Sequence, residues 1–593
     1  MRKVFLSMRP GSCYMQYMHF FEREVDGRGY RIVAESVWDP VAKRSVSRQV
    51  VLGPSDPSCV ADLAESEKVG EMRLGDVGAL SWVAEQVDAV GIINRVCKQV
   101  CPAGDVMLGE MVVAVAIQRA CAPGPKRDLA EFLAGSLPRV SCLPADKFTG
   151  QAFHRLASRV DAQQLEQAQI ELARALVQRF ELSTDVLAFD TTNFDTHIDT
   201  MTEGELARRG HAKSKRSDLR VVGLGLLVSE TGHVPLLYRT YPGNGSDQAL
   251  LGECLEGLGH LHDALDQGEG RSKPAQRTLV RDGGFWSEQL ELELEVVGYY
   301  SIISLPLGHG AAEEALQAAA KRGAMKHLKG AYRDVRAARI RTKVGELDRT
   351  LVVVESKELL EGQKRGISAA LRKAREELAV LERQVEKGKI TRERLKHRVQ
   401  QALRREHLKA FVVTDVGGSD KAPTFHWHVD EKLRHKLETT RLGRRVLCTD
   451  RHSWSIERIV HGFRGQWNVE ELFRRAKGGG VVPWGPSHQW ADSSLQLHTF
   501  ATVLGLTLVS LAHLALGSRC SVRSTMEQLG AIKATMVRPS TGRRGRPPTV
   551  PVRPRLTRFQ QRAAEAFELA RWMPAITSSS HRRRGRAKFD EVA

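Results

Sequence analysis

Val186, Leu187, Ala188 and Phe189 form an unbroken apolar run that ends on Asp190. That is the pattern of a strand buried on both faces, with an acid carried to its end. The pattern returns at Thr278 to Val280, which runs into Asp282 and then Gly283 and Gly284, where the backbone can turn sharply. Further apolar runs predict strands over 221–228, 234–241 and 299–305, and helical spacing predicts helices over 247–264 and 287–297. The chain order is three strands, helix, strand, helix, strand. The expected fold class is an α/β core over 182–305, a mixed sheet flanked by helices.

Before that core, residues 1–55 alternate as short strands, Tyr30–Trp38 and Ser45–Leu52. With Arg44 and Arg48 they make a small basic sheet that either touches DNA or is plainly structural. Residues 56–181 show helical spacing at Val77–Val90, Leu108–Ala120, Lys126–Leu133 and Asp161–Phe180, a region suited to binding a DNA end or to dimerisation. After the core comes an insertion over 306–445. Its middle, 356–408, carries a heptad seam of Ile367, Leu371, Ala374, Leu378, Leu381 and Val385. Gly388 breaks the seam, Thr391 can cap a new helix, and Leu395, Val399 and Leu403 continue the stripe. This predicts a helical hairpin flanked by strands at Leu351–Val354 and Phe411–Val416. Its many Lys and Arg either form a solvated face or meet DNA phosphates or a second protomer. Residues 446–520 are expected to complete the core, and 521–593 form a basic tail.

Charge narrows the partners. The 593 residues hold 89 Lys and Arg against 70 Asp and Glu, a formal +19, which favours polyanions. No run of about 18 apolar residues occurs. Phe500 to Leu516, broken by Thr502, Thr507, Ser510 and His513, reads as a core helix, so no membrane is expected. Met1-Arg-Lys-Val-Phe-Leu-Ser lacks the apolar stretch of a signal peptide. Cys97 and Cys101 lie one helical turn apart, but no second Cys or His pair completes a zinc site, and reduced thiols in a cytosolic protein are expected.

A third acid stands in a helix pattern from Phe463 to Lys477 that stops at Gly478, Gly479 and Gly480. At about 100° per residue, Gln466, Glu470, Phe473 and Lys477 share one face. A carboxylate and an ammonium two turns apart can hold a metal ion and a nearby phosphate together. Mg²⁺ prefers oxygen ligands and takes few carboxylates, leaving room for phosphate.

Two strand-end aspartates and a helical glutamate resemble the Asp-Asp-Glu triad of DDE-type insertion-sequence transposases with an RNase H-like core. One group of that family carries Tyr, two residues, Arg, three residues, Glu, six residues and Lys. Phe463, Gln466, Glu470 and Lys477 stand in those places; the Glu and Lys match, the Tyr and Arg do not, and Arg464 or Arg474 is the candidate replacement. Gly210 to Leu219 followed by Val221–Val228 resembles the segment after the family's first Asp, Pro242 to Asp247 its next turn, and His488-Gln-Trp490 with His498 the segment after its Glu. The likeness spans roughly residues 180 to 515.

The resemblance implies that Asp190, Asp282 and Glu470 are catalytic and hold two Mg²⁺ (or Mn²⁺) ions, and that Lys477 neutralises phosphate charge. It implies metal-dependent cleavage at the ends of an insertion element and strand transfer into target DNA. Double-stranded DNA is then the partner, a homodimer the expected form in the DNA complex, and the bacterial cytosol or nucleoid the place. Two alternatives stay open: a metal-dependent nuclease or resolvase without strand transfer, and a catalytically inactive transposase-derived DNA-binding protein.

The remaining candidates each have two readings. His211, Lys213, Lys215 and Arg216 form a basic loop near DNA or a solvated turn. Arg543-Arg544-Gly545-Arg546-Pro547 resembles an AT-hook, in which Arg544 and Arg546 enter a narrow minor groove, or it is a basic linker. Asp195 and Asp199 are metal ligands or a polar loop, and Asp450 is a helix N-cap rather than a site residue. Glu471 points about 100° away from Glu470. Trp286, Trp467, Trp484 and Trp490 stack on bases or pack in the core.

Overall fold

The computed structural model of the chain describes residues 18–573 except 26–27, 40–41, 56–66, 99–103, 200, 269–274, 322–323, 406, 539–548 and 553–554. It is a mixed α/β protein of two compact units, one formed by residues 1–277 with 465–593, the other by 278–464. Arg544, Arg546 and Cys101 lie outside the described residues, so the AT-hook and the Cys97–Cys101 spacing are not described.

The first unit opens with an antiparallel three-stranded sheet of β1 (His19–Val25), β2 (Arg28–Asp39) and β3 (Arg44–Pro54). Arg48 does not face solvent, as a DNA contact would. It is buried, and its guanidinium donates to Glu35 Oε1 (3.3 Å), Glu110 Oε1 (2.9 Å) and the Asp105 carbonyl (3.2 Å). β4 (Glu67–Arg73) follows, then helices α1 (Gly75–Gln86), α2 (Ala89–Val96), α3 (Leu108–Cys121), α4 (Leu129–Ala134), α5 (Gly150–Ala157) and α6 (Ala162–Phe180). Asp161 and Gln164 close a capping box that starts α6, satisfying N–H groups that the helix leaves free. β5 (Val186–Thr196), β6 (Arg220–Ser229) and β7 (Pro235–Pro242) form an antiparallel ladder, and α7 (Asp247–Gly268) comes next.

The second unit begins with β8 (Arg277–Arg281), whose first residue still belongs to the first unit, then α8 (Glu288–Val296), β9 (Tyr299–Leu305) and α9 (Gly310–Ala319). The strand and helix order from β5 to β9 is the one the apolar pattern predicts. β10 (Lys326–His327), β11 (Val335–Val344) and β12 (Leu347–Ser356) follow. α10 (Lys357–Glu386) and α11 (Arg392–Ala402) form the hairpin, then come β13 (Val412–Gly418), β14 (Pro423–Val429), α12 (Glu431–Thr440), β15 (Arg444–Thr449) and α13 (Ile456–Arg464). Within this unit the sheet order is β10-β11-β12-β15-β9-β8, so β11 and β12 extend a sheet rather than the hairpin module.

The heptad positions explain why the hairpin closes. Ile367, Leu371, Ala374, Leu378 and Leu381 of α10 are buried with Leu395 and Val399 of α11, Leu403 beyond it, and Phe411 and Phe425 at the strands. Leu378 is fully buried, so Leu378→Ala is expected to cost about 2–5 kcal/mol through lost burial and a cavity. Urea unfolding followed by a probe in α10 measures it; a loss under about 1 kcal/mol would mean the seam repacks.

The first unit resumes with α14 (Gln466–Ala476), α15 (Asp492–Ala515), α16 (Val522–Gly530), β16 (Lys533–Arg538), β17 (Val550–Val552) and α17 (Arg558–Ala566). The expected helix from Phe463 to Lys477 is interrupted: Gly465 separates α13 from α14, and Lys477 is an extended residue after the last turn. α15 is long and apolar enough to cross a membrane, yet its most apolar window is 89% buried, against α1, α3, α5, α6 and β7 among others, as a core helix. The region after 521 is more than a basic tail. β16 pairs with both β4 and β17 in a three-stranded sheet, and α17 packs against α16 and α1.

Candidate active site

β5 does not end at Asp190. It runs six residues further, because Thr191 to Thr196 continue the ladder opposite Gly225 to Arg220 of β6. Asp190 therefore stands in mid-strand, half-buried, opposite Leu226, with its Oδ1 accepting the Thr191 N–H (2.7 Å). The continuation is anchored by Phe194, whose ring stacks on buried Trp484 (centroids 5.0 Å apart). Trp484 is a core residue: its indole N–H donates to Thr499 Oγ1 (3.0 Å), and its carbonyl lies 2.8 Å from His498 Nε2.

The basic loop folds onto this strand. Lys213 Nζ donates to the Thr191 carbonyl (2.5 Å), and its backbone N–H donates to Asn193 Oδ1 (3.0 Å). Asn193 Nδ2 donates to the His211 carbonyl (2.8 Å), and Ser214 Oγ donates to Asp195 Oδ1 (2.8 Å). Asp195 is thus tied to the loop, and Asp199 accepts the Met201 N–H (2.7 Å) in a polar turn. His211, Lys213, Lys215 and Arg216 are all exposed. Arg216 is engaged: its guanidinium grips Asp218 with two bonds (2.7 and 2.5 Å), which raises the Arg216 pKa and holds Asp218 down at about 2.

α14 packs against β5 and β6, burying Gln466, Val469, Leu472, Phe473 and Ala476. Glu470 is exposed at the edge of that buried stripe. Glu471 instead pairs with Arg474 (3.1 Å) and Arg475 (3.4 Å). Half-buried Lys477 stands among the charges of the strand. Loss of water lowers its pKa, the Lys213 ammonium lowers it further, and Asp195 and Asp190 pull it back up. The structure thus gathers Asp190, Asp195, Lys213 and Lys477 around the middle of β5.

The replacements for the missing Arg are placed otherwise. Arg474 lies over the ring of exposed Trp467 (5.5 Å), whose edge meets His233. Arg464, in the second unit, lies over Tyr332 (4.6 Å). Phe463 and Gln466, which stand where the family has Tyr and Arg, are both buried. Trp490 is exposed.

In the second unit, Asp282 is exposed at the end of fully buried β8, where a short 3₁₀ turn begins. Gly283 is required there, since a Cβ would lie 2.2 Å from the Ser304 carbonyl. The strand end is held by Arg281, which is buried and donates to Glu291 Oε1 (2.5 Å) and Ser301 Oγ (2.6 Å). Trp286 is half-buried, edge-on to His309. Asp450 is not a helix cap, since α13 starts only at Ile456. It accepts the Ser301 N–H (2.9 Å), and burial pushes its pKa up to about 6. A half-buried, perturbed carboxyl is a functional-site candidate by its chemistry, and its sequence, the end of an apolar run in Val446-Leu-Cys-Thr-Asp450, is the signal that marks it.

The three acids supply only oxygen donors, as a hard divalent cation requires. Among the described residues, however, no group of three His, Cys, Asp or Glu side chains converges as a metal site would. Asn193, the fastener of the basic loop, was not singled out by spacing; an Asn one residue after two threonines reads locally as turn.

No protein-family model matches the chain, and no curated protein matches it by sequence. Among solved structures it is similar to a piggyBac transposase synaptic complex with hairpin DNA, at 10% identity over 78% of this chain and 82% of that chain. The TM-score of 0.35 is too low for that likeness to carry any argument about this protein.

Proposed function

We propose that this chain is a DDE-type DNA transposase with an RNase H-like catalytic core, which cleaves at the ends of an insertion element and joins them to target DNA. The observation that carries the reading is the placement of Asp190 in mid-strand, with α14 packed on that strand and ending in Lys477, which senses the Asp190 charge. The motif resemblance supports it independently, because it assigns Asp190 and Lys477 from the sequence.

The reading gives Asp190, Asp282 and Glu470 the role of metal ligands. The ions, Mg²⁺ or Mn²⁺, would supply an activated water and stabilise the leaving 3′-oxygen. This assignment comes from the motif and not from a convergence of donors among the described residues. What the chain itself does is electrostatic. Lys477 presents a half-desolvated ammonium where phosphate charge would build up, and in a less polar setting such a charge acts more strongly than in water. The exposed basic loop contributes further positive charge along the same strand.

Incubation of the chain with element ends and Mg²⁺, scoring both cleavage and joining, tests the reading. Cleavage with joining is expected. Cleavage alone favours the nuclease or resolvase, and binding without either favours the inactive derivative, a reading that buried Gln466 in place of the family's Arg speaks for.

DNA binding itself has a measurable signature. Each phosphate contact releases counterions, so affinity falls with salt. Replacing Lys213, Lys215 and Arg216 together would flatten that slope by up to about three units if all three met phosphate. Because Asp218 already occupies Arg216, a change nearer two is expected. Preference among sequences should stay the same, since phosphate contacts position rather than read DNA. Gel shifts across a salt series decide it; an unchanged slope makes the loop a solvated turn.

A further inference from the structure

The loop 211–216 is exposed, yet it is fastened to β5 at four points: Lys213 Nζ on the Thr191 carbonyl, Lys213 N–H on Asn193, Asn193 on the His211 carbonyl, and Ser214 on Asp195. Exposed loops are commonly mobile. Four bonds to one strand instead fix a single side chain, the Lys213 ammonium. An ammonium has three donors, and one is spent on the Thr191 carbonyl. The Thr191 N–H donates to Asp190, so the Lys213 ammonium and the first acid are linked through the backbone of one residue, Thr191.

Lys477 comes to the same place from the opposite direction in sequence, at the end of the helix that packs on β5. Its surroundings include the charges of Lys213, Asp195 and Asp190. Two ammonium groups that share one neighbourhood repel each other, and more strongly where water is partly excluded. Holding the Lys213 ammonium within reach of the Lys477 charge has a use if an anion lies between them. A phosphodiester offers two non-bridging oxygens, and charge-assisted N–H···O bonds to them are the strong kind.

We propose that Lys213 is a second phosphate-contacting lysine, held in place by Asn193 and Ser214, which grips a non-bridging oxygen of the attacked phosphodiester opposite Lys477. This rests on the transposase reading and adds a residue to it. Lys213 is then not one of several interchangeable loop cations. Asn193 and Ser214 are positioning residues.

The test is single-turnover cleavage, with protein in excess, of an element end carrying oxygen, or Rp or Sp sulfur, at the scissile phosphate. Lys213→Met is expected to slow cleavage of the oxygen substrate by about 10²–10³-fold, the usual cost of removing one aimed donor. Lys213→Arg should recover part of the rate. On one of the two sulfur isomers, wild type and Lys213→Met should differ far less, because the sulfur has already weakened the contact. Asn193→Ala, which loosens the loop but keeps the ammonium, should give a smaller loss with the isomer preference retained. A Lys213→Met protein that cleaves at the wild-type rate once DNA is saturating overturns the proposal. So does a Lys213→Met penalty that is equal on the oxygen and on both sulfur substrates, since that is the mark of a purely structural tie. If the wild-type chain does not cleave at all, the transposase reading fails and takes this proposal with it, an outcome separable from loss in the Lys213 variants alone. Thermal melts of each variant show whether lost rate is lost fold, and Lys213→Arg and Asn193→Ala keep the test decisive if Lys213→Met is unstable.

Discussion

Asp190→Asn, Asp282→Asn and Glu470→Gln are each expected to lower cleavage of element ends by roughly 10³-fold or more, about 4 kcal/mol of transition-state stabilisation, while end binding survives. Each change keeps the size of the side chain and removes one negative charge. Asp282 and Glu470 are exposed, so their loss should leave stability within about 0.5 kcal/mol. Asp190 is half-buried and accepts the neighbouring Thr191 N–H, a bond that an Asn carbonyl can also accept. The check is cleavage at several Mg²⁺ concentrations beside gel shifts on the same ends. A variant with normal cleavage removes that residue from the site, and loss of binding in all three would point to damaged folding.

The largest expected effect on stability lies far from the chemistry. Arg48→Met should destabilise the first unit by about 3–5 kcal/mol, since it leaves Glu35 and Glu110 buried without their shared cation. The effect should depend on pH. Burial, and next the Glu35 carboxylate, raise the Glu110 pKa from an ordinary 4.5 to about 7. The folded chain therefore holds a proton that the unfolded chain has released between those two values. That contribution to stability is fully present below about 4.5 and is lost as pH rises through about 7. Urea unfolding at pH 5 and pH 8 should show wild type weakening with pH, Glu110→Gln weakening less, and Arg48→Met suffering more at pH 8 than at pH 5. An equal pH dependence in wild type and Glu110→Gln would show that Glu110 does not titrate in this range.

What could be read in the chain follows the range of the forces involved. The hairpin was legible because its seam is local: Leu371, Leu378, Leu395 and Val399 repeat at helical spacing and bury one another. The strands from β5 to β9 were legible for the same reason, as apolar runs between polar turns. The end of β5 was not, because Thr191 to Asp195 look like a turn until Phe194 meets Trp484, 290 positions later. β4 was missed because Glu67-Lys-Val-Gly-Glu-Met-Arg73 has little apolar content, and β16 makes it a strand from the other side of the sequence. In the candidate site, Glu470 and Lys477 came from a spacing rule. The grip of Asn193 on the basic loop, the Asp218 hold on Arg216 and the bond from the Ser301 N–H to Asp450 are tertiary facts that no local pattern carries.

The pairing of β4 with β16 sets an order of events during synthesis. Lys533 lies opposite Arg73, 460 positions earlier. At ribosomal speeds of about 5–20 residues per second, the edge of β4 waits roughly 20–90 s for its partner to be made. Residues 278–464 form a continuous stretch and have no such wait. The inserted unit can therefore reach its native state while the unit that surrounds it in sequence is still unfinished, and the first unit closes only when the last part of the chain arrives.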